Sequence, residues 1–164
     1  MKKSLFVFPI ILLILTGALF AQQMDLDDVI SDGAWIVEEA VPAGTVVAIL
    51  NFDSSSEAFS EHVLTELASK LFLGQRVSVI DRQTLLPVAR EMNLNLSGDV
   101  SDQAAQPLGI RLDAQSIVSG SFTDMGGFHR FRIRVIHTAN MGIQAQIFLD
   151  LNNAQAAAMM AGFN

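Results

Sequence analysis

The stretch Ala48-Ile-Leu-Asn-Phe-Asp-Ser-Ser-Ser-Glu-Ala-Phe-Ser-Glu-His62 carries an apolar segment into Asp53 and three serines, and from there into a helical pattern. On its upstream side, Thr45 to Phe52 is a continuous apolar run rich in valine and isoleucine, as expected of a strand covered on both faces. Downstream, Phe59, Val63, Leu67 and Leu71 recur at steps of four, flanked by Leu64, Ala68 and Phe72. That spacing predicts a helix over 57–73, closed by Gly74. Ser54 and Glu57 have the S-x-x-E spacing of a capping box, in which each side chain satisfies a free backbone N–H at the helix start. A phosphate loop would need glycines that let backbone amides wrap an anion; Asp53 to Glu57 has none and carries two carboxylates. The glycine setting of a nucleophile elbow is missing as well. The serines therefore read as the way a helix begins.

Working outward, Val77 to Ile80 is a second short strand, which makes the segment a β-α-β unit with a right-handed crossover. Upstream, residues 25–40 read as a helix with Leu26, Val29, Ile30, Gly33 and Val37 on one face and acids opposite; Pro42 and Gly44 end it. Asp81 opens a helix through about Met92, which Pro87 should kink or delay. Leu96 to Val100 is a loop, and Ser101 caps a helix to about Leu108 that contains Pro107. Three strands follow, Ala114 to Met125, Phe128 to Thr138 and Ile143 to Leu151, joined by Gly126-Gly127 and by Ala139 to Gly142. Asn152 to Asn164 is a short helix or a frayed tail. The expected fold is α/β: a two- or three-layer sandwich whose mixed sheet combines the β-α-β unit with an antiparallel meander, with helices packed on it.

The start of the chain has the build of a secretory signal peptide: basic Lys2 and Lys3, hydrocarbon from Leu5 to Leu15, and small residues from Thr16 to Ala21. Cleavage is expected between Ala21 and Gln22. A retained anchor is the rival reading, for which the run is short and interrupted by Pro9. The chain has no cysteine, so disulfides, thiolate chemistry and a lipid on an N-terminal cysteine are not expected. Taking Lys2 and Lys3 from the 10 basic residues leaves 8 against 17 acidic ones, a net charge near −9. Such a surface disfavours nucleic acid and anionic lipid and favours a protein or neutral polymer as partner. The division that follows is signal peptide 1–21, N-terminal helix and linker 22–43, α/β domain 44–151 and short helix or tail 152–164.

No residue set calls for a catalytic centre, a metal or a cofactor. His62, His129 and His137 are unpaired, and His129 and His137 stand eight residues apart, roughly 25 Å along a strand. One feature stands out. In His129-Arg-Phe-Arg-Ile-Arg-Val135, strand alternation puts Arg130, Arg132 and Arg134 on one face and Phe131, Ile133 and Val135 on the other. The stripe reads either as a solvated sheet face that deters edge pairing or as a docking ribbon for an acidic partner.

The phrases Val47-Ala-Ile-Leu-Asn-Phe-Asp53, Val77-Ser-Val-Ile-Asp-Arg82, Leu96-Ser-Gly-Asp-Val-Ser-Asp102 and Leu112-Asp-Ala-Gln-Ser-Ile-Val-Ser-Gly-Ser-Phe122 together resemble a bacterial envelope family. It comprises the LpoB-type activators of penicillin-binding proteins and the related CsgG and TolB N-terminal-like domains. The resemblance spans roughly residues 44–150. It implies an α/β sandwich without a catalytic centre that binds envelope proteins from the periplasm, its partner a cell-wall synthase or an outer-membrane assembly component. An adaptor or subunit of a CsgG-like export or flagellar-type assembly is the alternative, and an enzyme of unknown type a further one. Within these phrases, Gly98 and Gly120 are expected to serve backbone geometry. The family's activators are usually lipoproteins and its secretion pores carry extra hairpins; this chain has neither the cysteine nor the length. Oligomeric state is left open.

Overall fold

Strand β1 (Val46–Asp53) is buried along its length, and both of its faces are covered, as the valine- and isoleucine-rich run requires. Around it, the computed structural model describes residues 25–98 and 100–163. The expected signal segment 1–21 and its cleavage site lie outside the described residues. The chain proceeds through α1 (Leu26–Ala40), β1, α2 (Glu57–Gly74), β2 (Ser78–Val79), α3 (Arg82–Glu91), α4 (Asp102–Arg111), β3 (Ser116–Asp124), β4 (His129–His137), β5 (Ile143–Leu151) and α5 (Asn153–Met160). The strands form one sheet in the order β2-β1-β3-β4-β5. β1 pairs in parallel with β2 and β3, whereas β3, β4 and β5 are antiparallel neighbours. This is the mixed α/β sheet the sequence leads one to expect.

The layering follows from which faces are apolar. Val47, Ile49 and Phe52 of β1, Val118 and Phe122 of β3, and Phe131, Ile133 and Val135 of β4 point to one side. There they meet Ile30 and Val37 of α1, Phe59 and Leu67 of α2, and Met159 of α5. Five phenylalanines knit this core: Phe59 stacks at 5.3–6.1 Å on Phe52, Phe122 and Phe163, and Phe52 at 5.0 Å on Phe131. On the other side Ala48, Leu50, Ile117 and Ile136 meet Leu85 and Ala89 of α3 and Ala105 and Leu108 of α4. The second core reaches no further across the sheet than Ile136 of β4. Among the described residues there are therefore three layers over β1 and β3, and two over β4 and β5.

Several local expectations are corrected. Ser54 is not the cap of α2: Ser56 is, its hydroxyl accepting the Phe59 N–H at 3.3 Å. Ser54 instead bonds the Ser56 carbonyl at 2.7 Å and the Ser60 hydroxyl at 2.8 Å. Gly74 does not close α2 but ends it in helical conformation, and Gln75 turns the chain at φ 55°. A side chain at 74 would collide with the Glu38 carboxylate of α1. Neither proline delays its helix. Asp81 caps α3 at Gln83 N–H, Ser101 caps α4 at Ala104 N–H, and both helices run past Pro87 and Pro107, α4 to Arg111. Asn152 and Gln155 form the molecule's reciprocal capping box, which fixes α5 as a helix rather than a frayed end.

Candidate functional site: an arginine-lined sheet face beside a polar cleft

Because α3 and α4 stop at Ile136, no helix among the described residues covers the rest of that sheet face, where the three arginines are half-buried. Strand register assembles it row by row: Thr123, Arg130 and Asp150; Ser121, Arg132 and Phe148; Ser119, Arg134 and Gln146. Phe131, Ile133 and Val135 turn inward and are buried, as expected from alternation. The three arginines thus share one face in the folded chain.

They are not equivalent. Arg130 makes a two-pronged bond to Asp150, Nε to Oδ1 at 2.7 Å and the terminal nitrogen to Oδ2 at 2.8 Å. Its guanidinium also lies 5.0 Å from the Phe148 ring centre and 5.4 Å from that of Phe128. The hydrogen bond from Arg130, reinforced by its charge, holds the Asp150 carboxyl below the usual carboxylate range; the same bond raises the Arg130 pKa. Water screens so exposed a pair, so it orients Arg130 more than it stabilises the fold. Arg132 sits between Ser121 and the half-exposed Phe148, and with Asp53, Arg130 and Thr123 it lines a hollow of about 370 Å³. Asp53 reaches this face because β1 pairs it with Ser121. No linear pattern places an acid from β1 beside arginines of β4.

The second feature lies where the strand order reverses. The chain leaves β1 for β2 on one side and returns to β3 on the other, and open α/β sheets form a crevice at the carboxyl end of such a strand. Here a polar cleft of about 570 Å³ lies between Asn51, Ser54, Glu61, Arg82, Leu94 and Gly98. Asn51, 4 % exposed, donates through Nδ2 to the Gly98 carbonyl. Gly98 turns the loop there at φ 77°. Arg82 donates to the Leu50 carbonyl at 3.2 Å and pairs with Glu61 at 3.1 Å. Glu61 is thus committed to an ion pair. Gly120 serves packing: a Cβ there would stand 2.5 Å from the Phe52 ring and 2.8 Å from the Arg132 carbonyl.

The histidines are scattered. His62 packs 4.9 Å from the Phe163 ring, His129 lies 5.3 Å from Phe122, and His137 Nδ1 accepts the Ala139 N–H at 3.2 Å. Among the described residues no group of three histidine, aspartate or glutamate side chains is arranged to hold a metal, and no helix is long and apolar enough to cross a membrane.

This architecture matches solved structures. The LpoB C-terminal domain from Salmonella enterica superposes with a TM-score of 0.62 at 12% identity, covering 76% of this chain and 96% of that one. The LpoB C-terminal domain from Escherichia coli gives 0.60 at 11%, covering 76% and 98%. Lipoprotein GNA1162 from Neisseria meningitidis gives 0.51 at 11%, covering 72% and 91%. The chain therefore has an LpoB-like fold. A TolB from Acinetobacter baumannii reaches only 0.41, too low to support the TolB limb of the resemblance. No protein-family model matches the sequence, and no curated protein matches it.

Proposed function

We propose that this chain is a non-catalytic accessory protein of cell-envelope assembly, which docks an acidic protein partner on the open face of β3, β4 and β5. The observation that carries the reading is the face itself: Arg130, Arg132 and Arg134 concentrated beside Phe148 in a chain of net charge −7, with no helix among the described residues covering them. Aromatic and arginine side chains presented together are the groups that dominate binding energy at protein interfaces. Together the three guanidinium groups would steer an acidic surface onto the face. The LpoB-like fold supports an envelope role, as does the signal-like start of the chain. Removal of residues 1–21 would release the protein to the periplasm, residues 44–151 would form the binding unit, and the partner would be a cell-wall synthase or an outer-membrane assembly component. The test is co-purification from envelope extracts with wild type and Arg132→Glu. The reading requires that a cell-wall synthase or outer-membrane component be retained by wild type and lost by the variant at unchanged thermal stability. Equal retention by both would refute the site.

A further inference from the structure

The two edges of the sheet are unlike. β2 is only two residues long, a common way of blunting an edge. β5 is nine residues long, Ile143-Gln-Ala-Gln-Ile-Phe-Leu-Asp-Leu151, and among the described residues nothing pairs with its outer side. It has no lysine, proline or glycine to deter pairing. Its one charge, Asp150, is already turned to Arg130 of β4. Phe148 is 52 % exposed, and Ala145, Ile147 and Leu149 are only half-buried on the opposite face.

The geometry points to a second copy of this chain as the occupant of that edge: two molecules join antiparallel through β5 about a two-fold axis at Phe148, continuing the sheet. Residues directly opposite in an antiparallel pair lie on the same face. A two-fold axis normal to the sheet therefore has to centre on a residue. Register between β4 and β5 slips at Gln144, whose side chain turns to the Ser116 hydroxyl at 2.7 Å, so the regular edge is Ala145–Leu151. Its midpoint is Phe148. That register opposes Phe148 with Phe148, Ile147 with Leu149, Ala145 with Leu151 and Gln146 with Asp150. Every pair is apolar or hydrogen-bonding, and no like charges meet. Centring on Asp150 would set two carboxylates against each other. The axis also keeps both arginine stripes on one side, doubling the basic face. The pairing does not depend on the function proposed for that face.

The chain has no cysteine of its own, which allows a clean test on the full-length protein. Paired strands hold opposite Cα atoms about 4.5–5.5 Å apart, within disulfide reach, whereas positions two residues out of register are beyond about 7 Å. Under mild oxidation Phe148→Cys should link to itself. Ile147→Cys should not, but should link when mixed with Leu149→Cys. By sedimentation, wild type should be a concentration-dependent dimer. Gln146→Asp, which sets carboxylates opposite Asp150 twice, should weaken it roughly tenfold, and Gln146→Lys should preserve it. A wild-type monomer at every soluble concentration, or equal dimerisation by Gln146→Asp and Gln146→Lys, would overturn the proposal. Cross-linking of Phe148→Cys in cells only to a different protein would overturn it in favour of a partner strand.

Discussion

Replacing Ser56 by alanine should do more than uncap a helix. The hydroxyl accepts the Phe59 N–H and donates to the carbonyl of Phe163 at 2.5 Å, so one oxygen ties the start of α2 to the end of the chain. Loss of an N-cap costs about 0.5–2 kcal/mol, and loss of a part-buried hydrogen bond a further ~0.5–1.5 kcal/mol. The Phe163 ring, held 5.4 Å from Phe59 and 4.9 Å from His62, loses its tether at the same moment. The expected cost of Ser56→Ala is about 1–3.5 kcal/mol. For a domain of this size each kcal/mol lowers Tm by roughly 3–5 °C. Ser54→Ala removes only local bonds to Ser56 and Ser60 and should cost about 0.5–1 kcal/mol. Urea unfolding followed by circular dichroism measures both. Limited proteolysis near Gly162 adds a second reading, since only Ser56→Ala should expose the C-terminal residues. If Ser54→Ala matched Ser56→Ala in lost stability and in cleavage, the assignment of the cap would be wrong.

Gly120→Ala should destabilise by about 1–3 kcal/mol, because the added methyl meets a backbone carbonyl that cannot rotate away; a melting curve coincident with wild type would contradict this. Asp150 is held below its ordinary pKa, so its contribution is complete above the unfolded carboxylate value, near pH 4. It should be lost as pH falls through the lowered value, and Asp150→Asn should flatten that part of the acid limb in a pH titration of stability. Protein recovered from the envelope fraction should begin at Gln22, which N-terminal sequencing would check; Met1 on membrane-bound material would reverse the expectation.

Periodicity made most of the fold legible. The apolar run from Thr45, the steps of four from Phe59 and the alternation around Arg132 each impose one solution, since any other register would expose core residues to water. Hydroxyls were harder to place. Ser54, Ser55 and Ser56 are chemically alike, and only the turn geometry and the distant Phe163 carbonyl select Ser56. The start of α3 was harder to place for a related reason: Pro87 carries a general penalty, yet the helix begins at its Asp81 cap and is held by burial of Leu85. At the candidate site, the arginine stripe was readable because its residues lie on one strand. Asp53, Asp150 and Phe148 come to it from two other strands, through pairings that leave no local signal.

Whether the arginine-lined face docks an acidic partner is decided by site-specific photo-crosslinking in cells. A photoreactive residue at Thr123, exposed in the row of Arg130, samples that face; one at Asp32, exposed on α1 across the molecule, serves as the control. Position 123 should capture an acidic envelope protein, Arg132→Glu should abolish the capture, and position 32 should not capture it. Capture of the same protein at position 32 alone, or capture at position 123 that survives Arg132→Glu, would contradict such docking.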